Sequence, residues 1–265
     1  MFFIGIDIGS TAAKVVVMDS EKIIEKFTLP TGWSCVETSD NILKKLEDMG
    51  YIKEDTKIVG TGYGRVSIPF AHKTITEITC HGLGAYYLFK QDCTVIDIGG
   101  QDTKIITLQD GMVADFIMND KCSAGTGRFL EVMGNILGVK INDLIELSKN
   151  GKDTKITSMC TVFAESEVIS LIGRGESREN IAYGVVNSVI ERVSSLCRKH
   201  AKNSLFFLTG GLCSNEYILE LLSSSLKGEV YSDTELARYA GAIGAALTAK
   251  KIKNSSVKIY CIITS

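Results

Sequence analysis

The sequence predicts an α/β protein built from two similar units, because one short pattern occurs twice along the chain. Ile6–Gly9 reads Ile-Asp-Ile-Gly and returns unchanged as Ile96–Gly99, and Lys14 has a counterpart in Lys104. Each copy reads as an apolar strand, a tight turn with Asp or Gly, and a second apolar strand, which is typical of a β-hairpin. Solenoid repeats are shorter and need three or more copies, so one duplicated unit is the better interpretation.

Apolar runs and turn residues predict the elements of the first copy in order. Three strands come first, and a helix capped by Ser39 and ending near Glu47 follows them, since Ser is a common N-cap residue. A fourth strand and a second helix complete this half. The predicted ranges are Phe2–Ile8, Ala13–Met18, Ile23–Leu29 and Lys57–Gly60 for the strands, and Thr76–Phe89 for the second helix.

The second copy is predicted to begin with three strands and to continue into a helix-rich insert, a buried strand and an Ala-rich closing helix. The predicted ranges are Thr94–Ile98, Lys104–Leu108 and Met112–Ile117 for the strands, about Thr126–Ala201 for the insert, Leu205–Leu208 for the buried strand and Tyr239–Ala249 for the closing helix. Apolar residues at helical spacing mark one amphipathic helix in the insert: Ile181, Val185, Val189, Val193 and Leu196.

These elements predict two domains and a tail. The first domain is expected at residues 1–92 and the second, with its helical insert, at residues 93–250. Residues 251–265 form a tail whose segment Val257–Thr264 is apolar and strand-like, and no role is assigned to it.

The composition and charge of the chain argue against two classes of protein, those that bind nucleic acid and those that span a membrane. The chain has 265 residues, of which 45% are hydrophobic, and a net charge of −2. Nucleic-acid-binding proteins usually present a basic surface, and no apolar run approaches the roughly 18 residues that cross a bilayer. Asp7 interrupts the N-terminal apolar run, which favours a strand over a signal peptide. We therefore expect a cytoplasmic protein with neither a nucleic-acid nor a membrane partner.

Turns rich in Gly and hydroxyl side chains follow the predicted strands and are suited to binding phosphate. Glycine lets backbone N–H groups approach phosphate oxygens, and Ser, Thr and Lys add donors and positive charge. One such turn alone would be interpreted as an ordinary hairpin turn, but the repetition favours phosphate binding. The candidate nucleotide-binding residues are Gly9, Ser10, Thr11, Ala12, Ala13 and Lys14, then Gly99, Gly100 and Gln101, and, after Thr209, Gly210 and Gly211.

Carboxylates and a glutamine beside these turns are the catalytic candidates. Asp7, Asp97 and Asp102 carry short carboxylates suited to Mg²⁺, directly or through water. Gln101 is suited to orienting an attacking water, as glutamine does in other nucleotide hydrolases. Neither a Walker A loop nor a dinucleotide-binding fingerprint is present at the first turn, so the phosphate site is of another kind.

The arrangement resembles the superfamily of actin, Hsp70 and the sugar kinases. Its members have two ribonuclease-H-like domains with an interdomain nucleotide cleft, so the resemblance implies an actin-like ATPase fold. It also implies that the first two turns are phosphate loops, that Gly210 and Gly211 lie against the adenosine, and that Arg238, before the closing helix, touches the adenine.

Three segments narrow the resemblance to one family. Thr61–Arg65, Met118–Leu130 and Ile156–Glu167 are similar to segments of the activators of 2-hydroxyacyl-CoA dehydratases and of the ATPase subunits of benzoyl-CoA reductases. The resemblance implies a homodimer that binds ATP or ADP with Mg²⁺ and shares one [4Fe-4S] cluster between its subunits. It also implies electron transfer to an iron–sulfur dehydratase or reductase, with ferredoxin or flavodoxin as the electron source.

The resemblance assigns the cluster ligands to Cys122 and Cys160, two of the eight cysteines. A [4Fe-4S] cluster needs four thiolates, so a chain that offers two completes it only with a second copy, across a two-fold axis. Each of the two cysteines precedes a predicted helix, whose N-terminus favours negative charge. The alternative is that both are buried structural cysteines, as we expect for the other six. No C-x-x-C pair is present, so the sequence gives no support for a zinc ribbon or a thioredoxin-like motif.

Two other functions stay open beside the ATP-dependent electron donor. A small-molecule kinase of the same superfamily would use Asp97 or Asp102 as a base, but it gives no reason for the sequences around Cys122 and Cys160. A non-enzymatic nucleotide switch is the third interpretation. For the electron donor, we expect the nucleotide to change the angle between the cluster-bearing helices, with faster electron transfer in the presence of ATP than of ADP.

Overall fold

Each copy of the repeat forms its own five-stranded sheet in this computed structural model, which describes residues 1–158, 160–201 and 204–252. The first sheet belongs to a unit made of Met1–Tyr87 and the described residues from Tyr239 to Ile252. The second sheet belongs to a unit made of Leu88–Arg238. The segment Val257–Thr264, predicted to be strand-like, lies outside the described residues.

The first sheet combines an antiparallel meander with two parallel strands, in the order β3-β2-β1-β4-β5. Its strands are β1 (Phe2–Ile8), β2 (Ala12–Asp19), β3 (Lys22–Pro30), β4 (Lys57–Thr61) and β5 (Lys73–Thr74), accompanied by helices α1 (Cys35–Asp48) and α2 (Glu77–Phe89). Ile4, Ile6 and Ile8 of β1 are fully buried and pack in one cluster with Ile42 and Leu46 of α1. Burying one such side chain contributes about 1.5–3 kcal/mol to the free energy of folding, so the three isoleucines of β1 contribute strongly to this core.

The second sheet repeats the plan of the first, in the order β10-β9-β6-β7-β8. Its strands are β6 (Thr94–Ile98), β7 (Thr103–Gln109), β8 (Met112–Asn119), β9 (Leu205–Gly210) and β10 (Glu229–Tyr231). The registers also agree, because Asp7 pairs with Lys14 in the first sheet as Asp97 pairs with Lys104 in the second. The predicted α/β class and the duplicated unit are therefore confirmed.

A helical layer covers the second sheet. Its helices are α3 (Gly127–Ile136), α4 (Ile141–Ser148), α5 (Thr161–Gly173), α6 (Arg178–His200) and α7 (Glu216–Leu226). The amphipathic pattern predicted within the insert is found in α6, which buries Ile181, Val185, Val189 and Val193 and packs over β7 and β8. Within the described part of the chain, no helix has both the length and the apolar character needed to cross a membrane.

The closing helix α8 (Ala240–Ala249) lies unusually close to β1 and α2. A Cβ atom added to Gly5 would come within 1.9 Å of the carbonyl oxygen of Ala242, and one added to Gly84 within 1.9 Å of that of Ala240. A Cβ on Gly244 of α8 would likewise collide with the backbone of Cys80. Glycine and alanine are therefore required where these backbones meet, which explains the composition of the closing helix.

The first helix begins earlier than the sequence predicts. Its N-cap is Ser34, whose hydroxyl accepts a hydrogen bond from the backbone N–H of Glu37. Ser39, the predicted cap, lies inside α1 with a buried hydroxyl that has no hydrogen-bond partner. Both residues are serines, and the chain leaves β3 early enough for the first of them to cap the helix.

Candidate functional site

The turn between β1 and β2 contains the first group of predicted nucleotide-binding residues. It consists of Gly9, Ser10 and Thr11, followed by Ala12, Ala13 and Lys14 in β2. Thr31 fixes the turn, since its hydroxyl donates to the Gly9 carbonyl at 2.7 Å and its amide donates to the Thr11 carbonyl at 3.1 Å. The Nζ atom of Lys14 lies 3.4 Å from the position that a Cβ on Gly9 would take, so its positive charge is at the turn. Asp7 is buried at the end of β1, with its Oδ2 3.9 Å from His81 Nε2.

The turn between β6 and β7 contains a buried ion network. Lys104 is only 2% exposed, and its Nζ lies 3.2 Å from Asp97 Oδ2 and 2.8 Å from Asp102 Oδ1. The second oxygen of Asp97 accepts a hydrogen bond from the hydroxyl of Thr209 at 3.0 Å. The side chain of Asp102 is 25% exposed, whereas Asp97 is almost fully enclosed. The remaining members of this turn are Gly99, Gly100 and the exposed Gln101.

The lysines of the two hairpins differ in their ion pairs. The first copy has Ala12 where the second has Asp102, so the second carboxylate is missing. Lys14 is half-buried and forms no ion pair with any residue that the structure describes. Lys104 is held between two carboxylates, whereas Lys14 has no such partner within the described residues.

A Thr-Gly turn at the end of a parallel strand also occurs in both units. Thr209 pairs with Asp97 and Thr61 pairs with Asp7 in equivalent registers. Gly210 and Gly62 follow with φ values of +87° and +91°, which favour glycine, and each lies against the backbone of the central strand. Gly210 was predicted from the sequence as a nucleotide contact, whereas Gly62 was not. The Thr-Gly dipeptide after a buried strand, which marked Gly210, also marks Gly62 and could have identified it.

Arg238 and the third predicted turn lie close together in the second unit. Gly211 is exposed, and Arg238 is exposed in the short 3₁₀ helix Ala237–Tyr239. Burial raises the pKa of the Cys213 thiol, and the positive charge of Arg238 partly offsets this effect. The guanidinium is therefore near the residues that follow Gly211.

Cys122 lies in a loop between β8 and α3, which we call the Cys122 loop (residues 120–126). Side chains from the ends of two strands bind its carbonyl groups: the Asn119 amide donates to Cys122 and Ala124, both at 2.9 Å, and the Thr103 hydroxyl donates to Gly125 at 2.6 Å. The loop is therefore anchored to the sheet at three carbonyl groups. Cys122 is half-buried and several residues before α3, so it is not at the helix N-terminus itself.

The start of α3 is bonded directly to the second predicted phosphate turn. The backbone N–H of Gly127 donates to the Gly99 carbonyl at 2.9 Å, and that of Arg128 donates to the Gly100 carbonyl at 2.8 Å. The turn and the Cys122 loop are therefore parts of one hydrogen-bonded structure.

Cys160 is the N-cap residue of α5 and is exposed. The residue after it, Thr161, shares a hydrogen bond of 2.6 Å with Ser123, the residue after Cys122. This bond joins the two segments that carry the predicted cluster ligands. Val162 and Phe163 beside Cys160 are 66% and 67% exposed, which makes an apolar surface around the thiol.

Glu167 holds the segment before Cys160 on α5. Its carboxylate accepts hydrogen bonds from the amide and hydroxyl of Thr157 and from the amide of Ser158, at 3.0–3.1 Å. Burial by itself raises the pKa of the Glu167 carboxyl, but these hydrogen bonds outweigh it and keep the pKa below its usual value.

Four of the other described cysteines are buried, whereas Cys35 is half-buried, contrary to the expectation, and Cys261 lies outside the described residues. Burial raises the pKa of the Cys80, Cys93 and Cys197 thiols to about 12, and Cys213 is buried as well. These are inert core thiols, as expected. Among the described residues, no three His, Cys, Asp or Glu side chains are grouped so as to hold a metal ion, so this part of one chain does not provide a complete four-thiolate site.

Comparison with known proteins gives consistent matches along nearly the whole chain. The model of the BadF/BadG/BcrA/BcrD ATPase family matches residues 4–249. The (R)-2-hydroxyglutaryl-CoA dehydratase activating ATPase of Acidaminococcus fermentans is 42% identical over 255 residues, covering 95% of this chain and 98% of that protein.

Solved structures agree with the sequence matches. The activator of the 2-hydroxyisocaproyl-CoA dehydratase from Clostridium difficile, with bound ADPNP, matches with a TM-score of 0.84 at 38% identity and covers 97% of this chain and 100% of that chain. A ROK family glucokinase from Streptomyces griseus, in complex with glucose and AMPPNP, matches with a TM-score of 0.57 at 16% identity, covering 95% and 100% of the two chains, a likeness of fold alone. The predicted actin-like ATPase fold and the predicted family resemblance are confirmed.

Proposed function

Because the chain belongs to the BadF/BadG/BcrA/BcrD ATPase family, we propose that it hydrolyses ATP and passes a low-potential electron to a partner enzyme. The partner would be a 2-hydroxyacyl-CoA dehydratase or a related reductase with a double-cubane iron–sulfur cluster, since similar proteins from Acidaminococcus fermentans and Clostridioides difficile activate such dehydratases. Ferredoxin or flavodoxin would supply the electron in the cytoplasm.

The observation that carries the proposal is the direct bonding between the second predicted phosphate turn and the start of α3, which follows the Cys122 loop. The Gly99 and Gly100 carbonyls accept hydrogen bonds from the first residues of α3. A change at a bound phosphate would therefore reach the segment next to the Cys122 loop through two short backbone hydrogen bonds. The kinase interpretation gives no reason for the sequences around Cys122 and Cys160.

The nucleotide would be held by the turns described above. Lys14 would supply positive charge to phosphate oxygens, because no ion pair occupies it within the described residues, and Gly210, Gly211 and Arg238 would contact the adenosine. Asp102 is the more accessible carboxylate for Mg²⁺, whereas Asp97 and Asp7 are enclosed and would act through water. Gln101, exposed in its turn, would orient the attacking water.

Cys122 and Cys160 would hold one [4Fe-4S] cluster together with the same two residues of a second copy. The donor set fits this group, because two accessible thiols from each of two chains give four, and the Ser123–Thr161 bond keeps them on one surface. When bound, the cluster supplies reversible one-electron chemistry. Phe163 and Val162 give the surrounding surface the apolar character that a subunit interface buries.

Anaerobic purification tests the proposal. We expect a brown dimer with about four irons per two chains, as one [4Fe-4S] cluster requires. Cys122→Ser should lose the iron and keep nucleotide binding, measured by calorimetry with a non-hydrolysable ATP analogue. The matched control is Cys35→Ser, which replaces another half-buried cysteine and should keep the iron.

Two results would contradict the proposal. A monomer that stays free of iron after reconstitution would remove the electron-transfer function. A colourless protein that phosphorylates a small molecule would support the kinase interpretation instead.

A further inference from the structure

We propose that Thr103 and Asn119 form a polar clamp that transmits the state of the second phosphate turn to the Cys122 loop. The inference rests on the proposed function, since it assumes that a nucleotide binds at the turn that contains Gly99 and Gly100. It assigns a positioning role to two side chains outside the predicted site, one at the start of β7 and the other at the end of β8.

The clamp binds three carbonyl groups within four consecutive residues of the loop. Thr103 and Asn119 are paired across the ladder between β7 and β8, so their side chains act from neighbouring positions. The Asn119 amide donates to Cys122 and Ala124, and the Thr103 hydroxyl donates to Gly125. Thr126 also holds the Ser123 carbonyl from within the loop, through its amide and its hydroxyl. The carbonyls of Cys122, Ala124 and Gly125 are instead bonded by the two side chains of the sheet.

Both sides of the loop are connected to the phosphate turn. Thr103 directly follows Asp102, whose carboxylate is bound by Lys104. On the other side, Gly127 and Arg128 donate to the carbonyls of the turn itself. A displacement of the turn therefore moves the clamp and the start of α3 together, with the loop held between them.

The first copy of the repeat shows that the sheet does not need this polar pair. The positions equivalent to Thr103 and Asn119 are Ala13 and Leu29, which are paired in the same register. That copy has no cysteine-bearing loop between its third strand and the following helix. The Thr103 hydroxyl and the Asn119 amide therefore have no counterpart in the first copy and occur only beside the Cys122 loop.

The other side of the loop has space to move. A cavity of about 210 Å³ lies behind it, lined by Ala124 and Gly125 of the loop, by residues 156–158 and by α6. Gly125 has a φ of +87°, and a Cβ on it would come within 2.8 Å of Arg192 Cγ. The loop is therefore bonded on its sheet side, lies against α6 at Gly125, and borders the cavity on the same side, which gives it room to shift.

The test is hydrogen–deuterium exchange of the Cys122 loop in the anaerobically purified protein, with and without AMPPNP and Mg²⁺. The variants are Thr103→Val, which keeps the shape of the side chain and removes the donor, and Asn119→Leu, which restores the residue of the first copy. Thr103→Ser keeps the hydroxyl, and Thr107→Val changes a buried threonine of the same strand that bonds to His200. Nucleotide affinity is measured for every protein by calorimetry.

We expect the nucleotide to change exchange in the loop of the wild type, of Thr103→Ser and of Thr107→Val. Thr103→Val and Asn119→Leu should bind the nucleotide with wild-type affinity and lose this change. If Asn119→Leu does not fold, the comparison of Thr103→Val with Thr103→Ser decides. A nucleotide-dependent change that persists in Thr103→Val would overturn the clamp alone, whereas a wild type that binds no nucleotide would overturn the clamp and the proposed function together.

Discussion

At the scale of single residues, the clearest feature is the buried charge at Lys104. Its ammonium group is enclosed and pairs with Asp97 and Asp102, so three charges share one small region of the second unit. Removing one member of a buried ion pair leaves the other without compensation, which costs more than the pair contributes when intact. The lysine is therefore a structural requirement of the turn, whatever it does for a ligand.

Lys104→Met should lower the free energy of unfolding by about 3–5 kcal/mol, because two carboxylates would remain close together without a counter-charge. Urea denaturation at neutral pH measures this change. Lys14→Met is the matched control, since it replaces the equivalent lysine, which forms no ion pair among the described residues. It should change stability by less than about 1 kcal/mol and weaken ATP binding by about tenfold or more. Equal losses of stability in the two variants would contradict this division of roles.

Glu167 gives a prediction that depends on pH. Its pKa in the folded protein lies below the ordinary glutamate value, because the hydrogen bonds from Thr157 and Ser158 outweigh the effect of burial. The stability that it contributes is therefore complete above the ordinary pKa and is lost as the pH falls through the lowered one. Glu167→Gln should be less stable than the wild type at neutral pH, with a difference that shrinks on acidification. Denaturation curves at several pH values test this, and a difference independent of pH would contradict it.

At the scale of elements, the sequence predicts those parts of the fold that depend on local pattern. The strands β1 and β6 follow from their apolar runs, because both faces of these strands are buried, and α6 follows from its helical spacing, because one face of it is buried. The predicted start of α1 was wrong. Ser34 and Ser39 are chemically equivalent caps, and the path of the chain after β3 determines that Ser34 is the one that caps the helix.

Side-chain partners could not be predicted in the same way. The pairing of Lys104 with Asp102 depends on the geometry of a turn, and the bond between Ser123 and Thr161 joins segments far apart in the sequence. Only the three-dimensional fold brings such groups together. The residues of the candidate site were therefore predictable as a list of turns and cysteines, while the bonds that connect them were not.

The packing of the closing helix leads to a prediction at the same scale. Gly84→Ala should destabilise the protein by about 1–3 kcal/mol or more, because the new methyl group would meet the backbone of α8 and one of the elements must shift. Gly173→Ala is the matched control, as this helical glycine has open space around it and the change favours helix formation. Thermal denaturation measures both. A Gly84→Ala protein as stable as the wild type would show that α8 can move away without cost.

At the scale of the whole molecule, the same arrangement of strands occurs twice, and one of the two copies carries additional polar residues. Both sheets have the same strand order and the same Asp–Lys and Asp–Thr pairings on the central strand. Only the second has Asp102, Thr103 and Asn119, and only there does a cysteine-bearing loop follow the meander. Both units thus have the turn that we propose binds phosphate, and the changes in one copy add the hydrogen bonds that hold the Cys122 loop.

A cluster shared between two identical chains makes a quantitative prediction for mixed assemblies. A chain with Cys122→Ser and Cys160→Ser offers no thiolate, so a dimer with one wild-type and one substituted chain has only two of the four ligands that a [4Fe-4S] cluster needs. When equal amounts of the two chains assemble at random, about one quarter of the dimers are fully wild type, and iron content should fall to about one quarter of the wild-type value. Iron analysis and the visible absorbance of tagged, co-expressed mixtures measure this fraction. Iron content that falls only to half would mean that each chain holds its own cluster, since independent sites are lost in proportion to the substituted chains.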